Sequence, residues 1–428
     1  MNYKEILDSK REKNNKDRYK QFGLKYNPFP KSGTANINEP SEVTRVLTPI
    51  DNEAAESIAY FVADSLYSED ESDDHKLIGT ITGDYGTGKT QLLLFAKWLI
   101  QNQPKKAFVV YINNPGTKLS ELIGSVIESI GQEQFKKYLW NQVLETIKNT
   151  TKYKERLLEF IQVSQIQMFP KKDPFSTENE ANHKLFLDAF INQINDKSKR
   201  KEFNIVLKQT ALEIIAEKND GDSVIADYFY NIISEDFGIS KTWETVITGS
   251  GKYLDNKIVK LLNAIINIIR EQGFERFYLL VDEFEDITSG RLTKKEIDNY
   301  SHNLRALIDK ERRWCLLLAM TSEALQDLKK VSPPLVDRLT DREIKIERLS
   351  NTQANLIVKN YLSLSRETET DSINPFTEEA INFINSESGE LPRILLRKIH
   401  YLIERAVDEL NEGDSITKAF AEKHLSKD

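Results

Sequence analysis

The run Gly83-Asp84-Tyr85-Gly86-Thr87-Gly88-Lys89-Thr90 has the G-x-x-x-x-G-K-T spacing that suits a cradle for phosphate groups. Glycines let the backbone curl so that successive N–H groups converge on anionic oxygens. A helix opening at the end of the run adds its partial positive charge. In such a loop Lys89 reaches the β- and γ-phosphates of ATP, and the Thr90 hydroxyl ligands Mg2+. Gly83 to Thr90 together with Gln91 are then the nucleotide-contacting residues. The competing reading is a chance match in a glycine-containing turn. Context opposes it, because an apolar strand, Leu77–Ile81, precedes the run and an apolar-rich helix, Thr90–Ile100, follows it.

A second constellation is acidic. Phe277-Tyr278-Leu279-Leu280-Val281 runs straight into Asp282-Glu283-Phe284-Glu285-Asp286. A carboxylate ending a buried strand is costly unless a cation or hydrogen bonds compensate it. Magnesium held through Asp282 provides that compensation. Glu283 is then placed to orient and deprotonate an attacking water, since phosphoryl transfer asks a protein mainly for positioning and charge stabilisation. The blander alternative is an acidic loop after a core strand. A third apolar run, Trp314–Met320, ends in Thr321-Ser322, where a polar side chain could sense the γ-phosphate. Thr321 is the first choice and Ser322 its alternative, against ordinary polar punctuation at a strand end.

These residues need a scaffold that brings strand ends together. Short apolar runs at 77–81, 107–112, 277–281, 314–320 and 343–346 alternate with helical patterns, which predicts an α/β fold with a doubly wound, parallel, five-stranded sheet. Residues 1–50 read as a charged arm followed by an extended strap carrying Pro28, Pro30 and Pro40. Residues 51–115 plus 271–348 form the core, beginning with a helix over 52–67. The interval 116–270 has helical periodicity throughout and is too long for one crossover, so it is a helical insertion. Helices return over 349–428, at 352–364, 377–386, 391–410 and 416–425.

The phosphate loop, acidic strand end and third strand, in this order, resemble the AAA+ P-loop ATPases, especially the branch with origin-recognition initiators, general-secretion ATPases and transposition regulators. The resemblance covers 21–115 and 273–428. It implies a P-loop NTPase sheet, ATP hydrolysis, and a C-terminal helical lid. Pro333-Pro334-Leu335-Val336-Asp337-Arg338-Leu339 is similar to the family's arginine-finger segment, so Arg338 would reach a neighbouring subunit's γ-phosphate, with Arg342 as the alternative. Gly389-Glu390-Leu391-Pro392-Arg393 is similar to the second sensor, which makes Arg393 a contact in cis. The strap Phe22–Pro30 is similar to a segment that packs near adenine in secretion-type relatives, and a strap covering the sheet is the plainer alternative. Asn303–Asp309 is similar to ATPases of phage-defence systems of the BREX kind, although an amphipathic helix explains it equally well. No winged-helix segment follows the lid, where the resemblance to initiators stops. The family plan further implies self-assembly into a ring or filament, action on DNA, and recruitment of a protein effector.

Composition narrows the remaining possibilities. The 428 residues carry a formal charge of −8, which excludes a surface coated in basic side chains but not a local basic patch. Such patches are Phe135-Lys136-Lys137-Tyr138-Leu139-Trp140, Lys148 to Arg156, and Lys197-Ser198-Lys199-Arg200-Lys201. Lysines interleaved with aromatics suit phosphate neutralisation and base stacking, though charge runs on helices are more often solvated faces. If the insertion does not touch DNA, the alternative is a nucleotide-switched scaffold or a secretion or signalling ATPase that engages only protein. The single cysteine, Cys315, precludes an internal disulfide and fits a reducing cytoplasm. The five histidines show no metal-site spacing, and no run reaches the roughly 18–20 apolar residues needed to cross a bilayer.

Overall fold

The computed structural model describes residues 16–33, 52–67, 78–116, 118–161, 173–234, 254–288, 292–310, 314–368, 370 and 372–425. Five strands, β1 (Ile78–Thr82), β2 (Ala107–Ile112), β3 (Arg276–Val281), β4 (Trp314–Met320) and β5 (Glu343–Lys345), form one sheet of order β2-β3-β4-β1-β5. All pairings are parallel. The strands are uninterrupted apolar runs because both faces are covered. On β3, Tyr278 and Leu280 face helices α1 (Asn52–Tyr67) and α2 (Lys89–Gln101), while Phe277, Leu279 and Val281 enter the core on the opposite side.

That opposite core holds most of the buried hydrophobic residues described. Helix α3 (Leu119–Ile130) packs on β2 and leads into α4 (Gln132–Asn149), α5 (Thr151–Leu158), α6 (Thr177–Glu180), α7 (His183–Ile191), α8 (Lys197–Lys218), α9 (Ser223–Ser234) and α10 (Leu254–Glu271). The last of these leads into β3. Buried residues of the insertion run without a break into those on the sheet face, so the insertion shares one core with the sheet. Its spacing explains this: on α4, Phe135, Leu139, Trp140, Val143, Leu144 and Ile147 recur at helical intervals and are all buried. Among the described residues the insertion contains no strand, as its periodicity predicts.

Helix α11 (Lys294–Lys310) connects β3 to β4, and α12 (Ser322–Val331) with α13 (Pro333–Leu339) connects β4 to β5, all on this second face. Beyond β5 the chain forms α14 (Asn351–Ser363), α15 (Glu378–Glu387), α16 (Pro392–Glu409) and α17 (Lys418–Leu425) around a separate core. A capping box starts α14: Gln353 N–H donates to Ser350 Oγ (3.2 Å) and Ser350 N–H donates to Gln353 Oε1 (2.8 Å).

The N-terminal strap departs from expectation. Its described part neither covers the sheet nor lines the cleft beside the 83–90 loop; Phe22, Leu24 and Phe29 are buried in the core of the C-terminal helices. Phe29 stacks on Tyr361 and meets Phe376 edge-on. Asn27 Nδ2 donates to Glu404 (2.8 Å) and to the His400 carbonyl (3.2 Å), and His400 Nδ1 pairs with the Phe29 carbonyl (2.7 Å). The prolines deny the segment a ladder of its own, so these side chains and carbonyls on α16 satisfy it. Residues 34–51, with Pro40, and the acidic run 68–74 lie outside the described residues.

Removing a fully buried, stacked ring from this core should cost about 3–5 kcal/mol. Phe29→Ala is therefore expected to lower the unfolding midpoint of the C-terminal helices, read by hydrogen exchange of α14 and α16. Unchanged protection there, with loosening of the sheet instead, would place the strap elsewhere.

Candidate functional site

Because every strand runs the same way, β1, β3 and β4 end at one edge, with Thr82 in register with Met320 and Val281 with Leu318. From β1 the chain leaves to the face of α2, whereas from its neighbour β4 it leaves to the opposite face through α12 and passes over β1. Adjacent strands that send their chains to opposite faces open a crevice at their carboxyl ends, where open parallel sheets bind ligands. The sequence-predicted loop, acids and threonine all converge on this edge.

The loop from Gly83 to Gly88 turns through left-handed backbone at Gly86 (φ 84°) and Gly88 (φ 106°), and Gly88 directly precedes α2. Gly83 permits a different close approach: a Cβ there would sit 2.7 Å from Thr87 Oγ1 and 2.9 Å from the Ile346 carbonyl oxygen. Lys89 is 8% exposed, and its Nζ donates to the carbonyls of Gly83 (3.1 Å) and Asp84 (3.0 Å). Burial pulls its pKa below the ordinary lysine value, opposed by the nearby charges of Glu285, Asp282 and Asp84. The ammonium thus lies under the loop, close to the acids at the end of β3.

Asp282 is buried (2% exposed) and held on both oxygens: Oδ1 accepts from the Glu283 N–H and Oδ2 from the Tyr111 hydroxyl, each at 3.0 Å. The carboxylate in turn raises the Tyr111 pKa, after burial, which is the larger cause. Glu283 has φ 51°, a left-handed conformation that costs a non-glycine residue on the order of 1 kcal/mol, and the residue as a whole is exposed while its carboxyl is partly desolvated. Burial first, then repulsion from Asp282, Asp286 and Glu285, lifts its pKa above the usual carboxylate range. Glu285 is raised too, chiefly by burial, while Lys89 draws it down. Asn114 Nδ2 ties Asp286 at 2.6 Å.

The remaining predicted residues take varied positions. Thr321 caps α12, accepting from the Ala324 N–H at 3.2 Å, and Ser322 is the first residue of that helix. Arg393, near the start of α16, is brought to the loop: its Nη1 donates to the Tyr85 hydroxyl at 2.7 Å and its guanidinium lies over that ring. Arg338 is bound by Asp309 through two nitrogens (2.9 and 3.2 Å), and Arg342 pairs with Asp64 at 2.7 Å. A narrow cleft beside the loop is walled by Ala54, Leu92, Ile346, Leu349 and Pro392, with Thr87, Gly88, Gln91, Glu347 and Gln353 also lining it. The described strap contributes nothing to that cleft.

Tyr111 and Arg348 escaped the sequence reading. Arg348 clamps Asp84 of the loop at 2.9 Å. For Tyr111 the available signal was an aromatic at the end of a strand paired with β3; for Arg348 no motif exists. The basic clusters also need correction. Phe135, Trp140 and Tyr153 are buried and cannot stack on bases, because helical spacing turns them inward. Lys148 pairs with Glu145 and Glu180, and Lys152 and Arg156 pair with Glu213. Lys197, Lys199 and Lys201 are exposed at the start of α8.

Neither a scan against protein-family models nor a search of curated proteins returns a match. Among the described residues no helix is long and apolar enough to cross a membrane.

Tyr111→Phe removes the hydroxyl donor from a buried carboxylate, so a loss of about 1.5–3 kcal/mol in urea denaturation is expected. An unchanged unfolding free energy would show that the bond contributes nothing.

Proposed function

We propose that this chain is a Mg-dependent ATPase built on the AAA+ plan, with a P-loop formed by residues 83–90. The observation that carries the reading is the buried Lys89 ammonium, whose partners are carbonyls of its own glycine-rich loop and which feels the charges of Glu285 and Asp282 beyond β3 and of Asp84 in the loop. A buried cation with only neutral hydrogen-bond partners is suited to exchange them for phosphate oxygens. The loop N–H groups and the start of α2 add donors around the same position. The apolar walls of the adjacent cleft suit a purine. Gln353 Oε1 is already engaged in the α14 cap, so Gln91 and Glu347 are the other polar side chains at hand for the base edge.

The residues fit a divalent ion. Each Asp282 oxygen accepts one hydrogen bond and keeps acceptor capacity, and Thr90 follows Lys89 on the first turn of α2. Magnesium held by Thr90 and Asp282 would neutralise charge on the phosphate oxygens. Glu283, strained, exposed and raised in pKa, orients the attacking water and accepts its proton. Thr321 keeps its hydroxyl hydrogen for the γ-phosphate while its oxygen caps α12. Arg393 lies on the loop in cis. Arg338 serves a neighbouring copy once it exchanges Asp309 for phosphate, with Arg342 as the alternative, which makes assembly part of the activity.

For the load, the nucleic-acid reading now rests on Lys197, Lys199 and Lys201 at the start of α8, with Arg200 beside them. The internal pairing of Lys148, Lys152 and Arg156 favours a second reading, in which the insertion docks a protein effector.

Two measurements test these statements. Lys89→Ala should abolish ATP binding, whereas Glu283→Gln should bind ATP and leave it uncleaved; turnover by Glu283→Gln at the native rate rules out the water-orienting role. Duplex DNA binding measured across salt concentrations should show a slope that charge reversal at Lys199, Arg200 and Lys201 flattens. A slope near zero in the unaltered protein selects the protein-docking reading.

A further inference from the structure

Arg338, Arg342, Arg348 and Arg393 differ in their partners. Arg338 is held by Asp309, Arg342 by Asp64 and Arg348 by Asp84, each of them a carboxylate. Among the described residues the partner of Arg393 is neutral: its Nη1 donates to the Tyr85 hydroxyl at 2.7 Å. An ion-paired arginine has to give up its acid before it can take a phosphate, whereas one held by a hydroxyl keeps its charge for an incoming anion. Nε and Nη2 of Arg393 are uncommitted among the described residues, which leaves the rest of its donor fork for a ligand.

Tyr85 does not pack the loop. Its ring is 69% exposed and belongs to none of the buried cores. The Arg393 guanidinium lies 5.4 Å from the ring centroid, so it is held by the ring face as well as by the hydroxyl. The main chain beneath Arg393 is fixed separately. Gly33 leaves no room for a Cβ against the Arg393 carbonyl, a Cβ on Gly86 would sit 3.6 Å from that of Arg393, and Pro392 is buried at the start of α16. With the backbone pinned there, Tyr85 decides where the guanidinium points. A long side chain already held in one place has less rotamer freedom to lose on binding. Tyr85 and Gly86 do not line the apolar cleft, so Arg393 meets the loop on the side of the phosphates rather than the base.

We propose that Tyr85 is a positioning residue for Arg393: it holds the guanidinium at the 83–90 loop with donors to spare, so that the site selects a nucleoside triphosphate over a diphosphate. The inference rests on the nucleotide reading above and deepens it. Lys89 beneath the loop and Arg393 against it both have only neutral hydrogen-bond partners among the described residues, and a ligand with one more phosphate brings the added negative charge that they can share. The neighbouring pair assists. Arg348 spends Nε and Nη2 on Asp84 Oδ2 (3.1 and 2.9 Å), which neutralises a loop carboxylate that would otherwise repel the phosphates.

The test is calorimetric titration of the full-length protein in Mg2+ with a non-hydrolysable ATP analogue and, separately, with ADP, read as the ratio of the two dissociation constants. The unaltered protein should prefer the analogue. Tyr85→Phe keeps the ring and removes the hydroxyl, at an exposed position. It should reduce that preference about fivefold, as for loss of one hydrogen bond, and leave ADP affinity unchanged. Arg393→Ala should reduce the preference further, and adding Tyr85→Phe to Arg393→Ala should change nothing more, because the tyrosine acts through the arginine. Equal weakening of both nucleotides in Tyr85→Phe, the mark of a merely structural role, overturns the proposal, as does an unchanged ratio or an additive effect in the double variant. Failure of the unaltered protein to bind either nucleotide overturns the nucleotide reading itself and this inference with it.

Discussion

The Lys89 ammonium is enclosed beneath its loop with two backbone carbonyls as hydrogen-bond partners and the acids at the end of β3 nearby. Burying a charge is tolerable only where such compensation exists. Placing that ammonium fixes much of the architecture. It requires β1 beside β4 with chains leaving to opposite faces, a loop free to turn through left-handed glycines, and β3 two positions away. Neighbouring strands lie about 4.8 Å apart, so β1 and β3 stand about 10 Å from each other, and the end of β4 with Thr321 falls between.

The C-terminal helices and the segment before them are connected to this constraint by two arginines, of which only Arg393 lies in a stretch that the sequence singles out. Arg348 grips Asp84 and Arg393 grips Tyr85, so two consecutive loop residues are bound to the segment after β5 and to α16. The strap strengthens the connection: Gly33 approaches so closely that a Cβ there would sit 2.2 Å from the Arg393 carbonyl oxygen. A shift of the loop would therefore be felt directly by the C-terminal helices.

How much the sequence reveals depends on the range of the interaction. Strands of apolar residues between helices were legible because burial on both faces leaves no polar alternation, and the bounds of β2 and β4 match expectation. The glycine loop was legible because local backbone geometry dictates residue type. Partnerships between distant residues were not: Tyr111 with Asp282, Arg348 with Asp84 and the strap with α16 follow from tertiary placement. The aromatics of α4 were misread for a related reason. Composition alone suggested base stacking at Phe135 and Trp140, but their spacing with Leu139 and Val143 places them on the buried side of the helix. The insertion was legible as helical, yet its fusion with the core of the sheet was not, since periodicity says which face is buried and not against what.

The central claim is that the Lys89 ammonium trades loop carbonyls for phosphate. It is tested most directly by a crystal structure of the protein with Mg2+ and a non-hydrolysable ATP analogue. The account predicts Lys89 Nζ within hydrogen-bonding distance of a γ-phosphate oxygen and withdrawn from the Gly83 and Asp84 carbonyls. An analogue bound elsewhere, with Lys89 still held by those carbonyls, would contradict it.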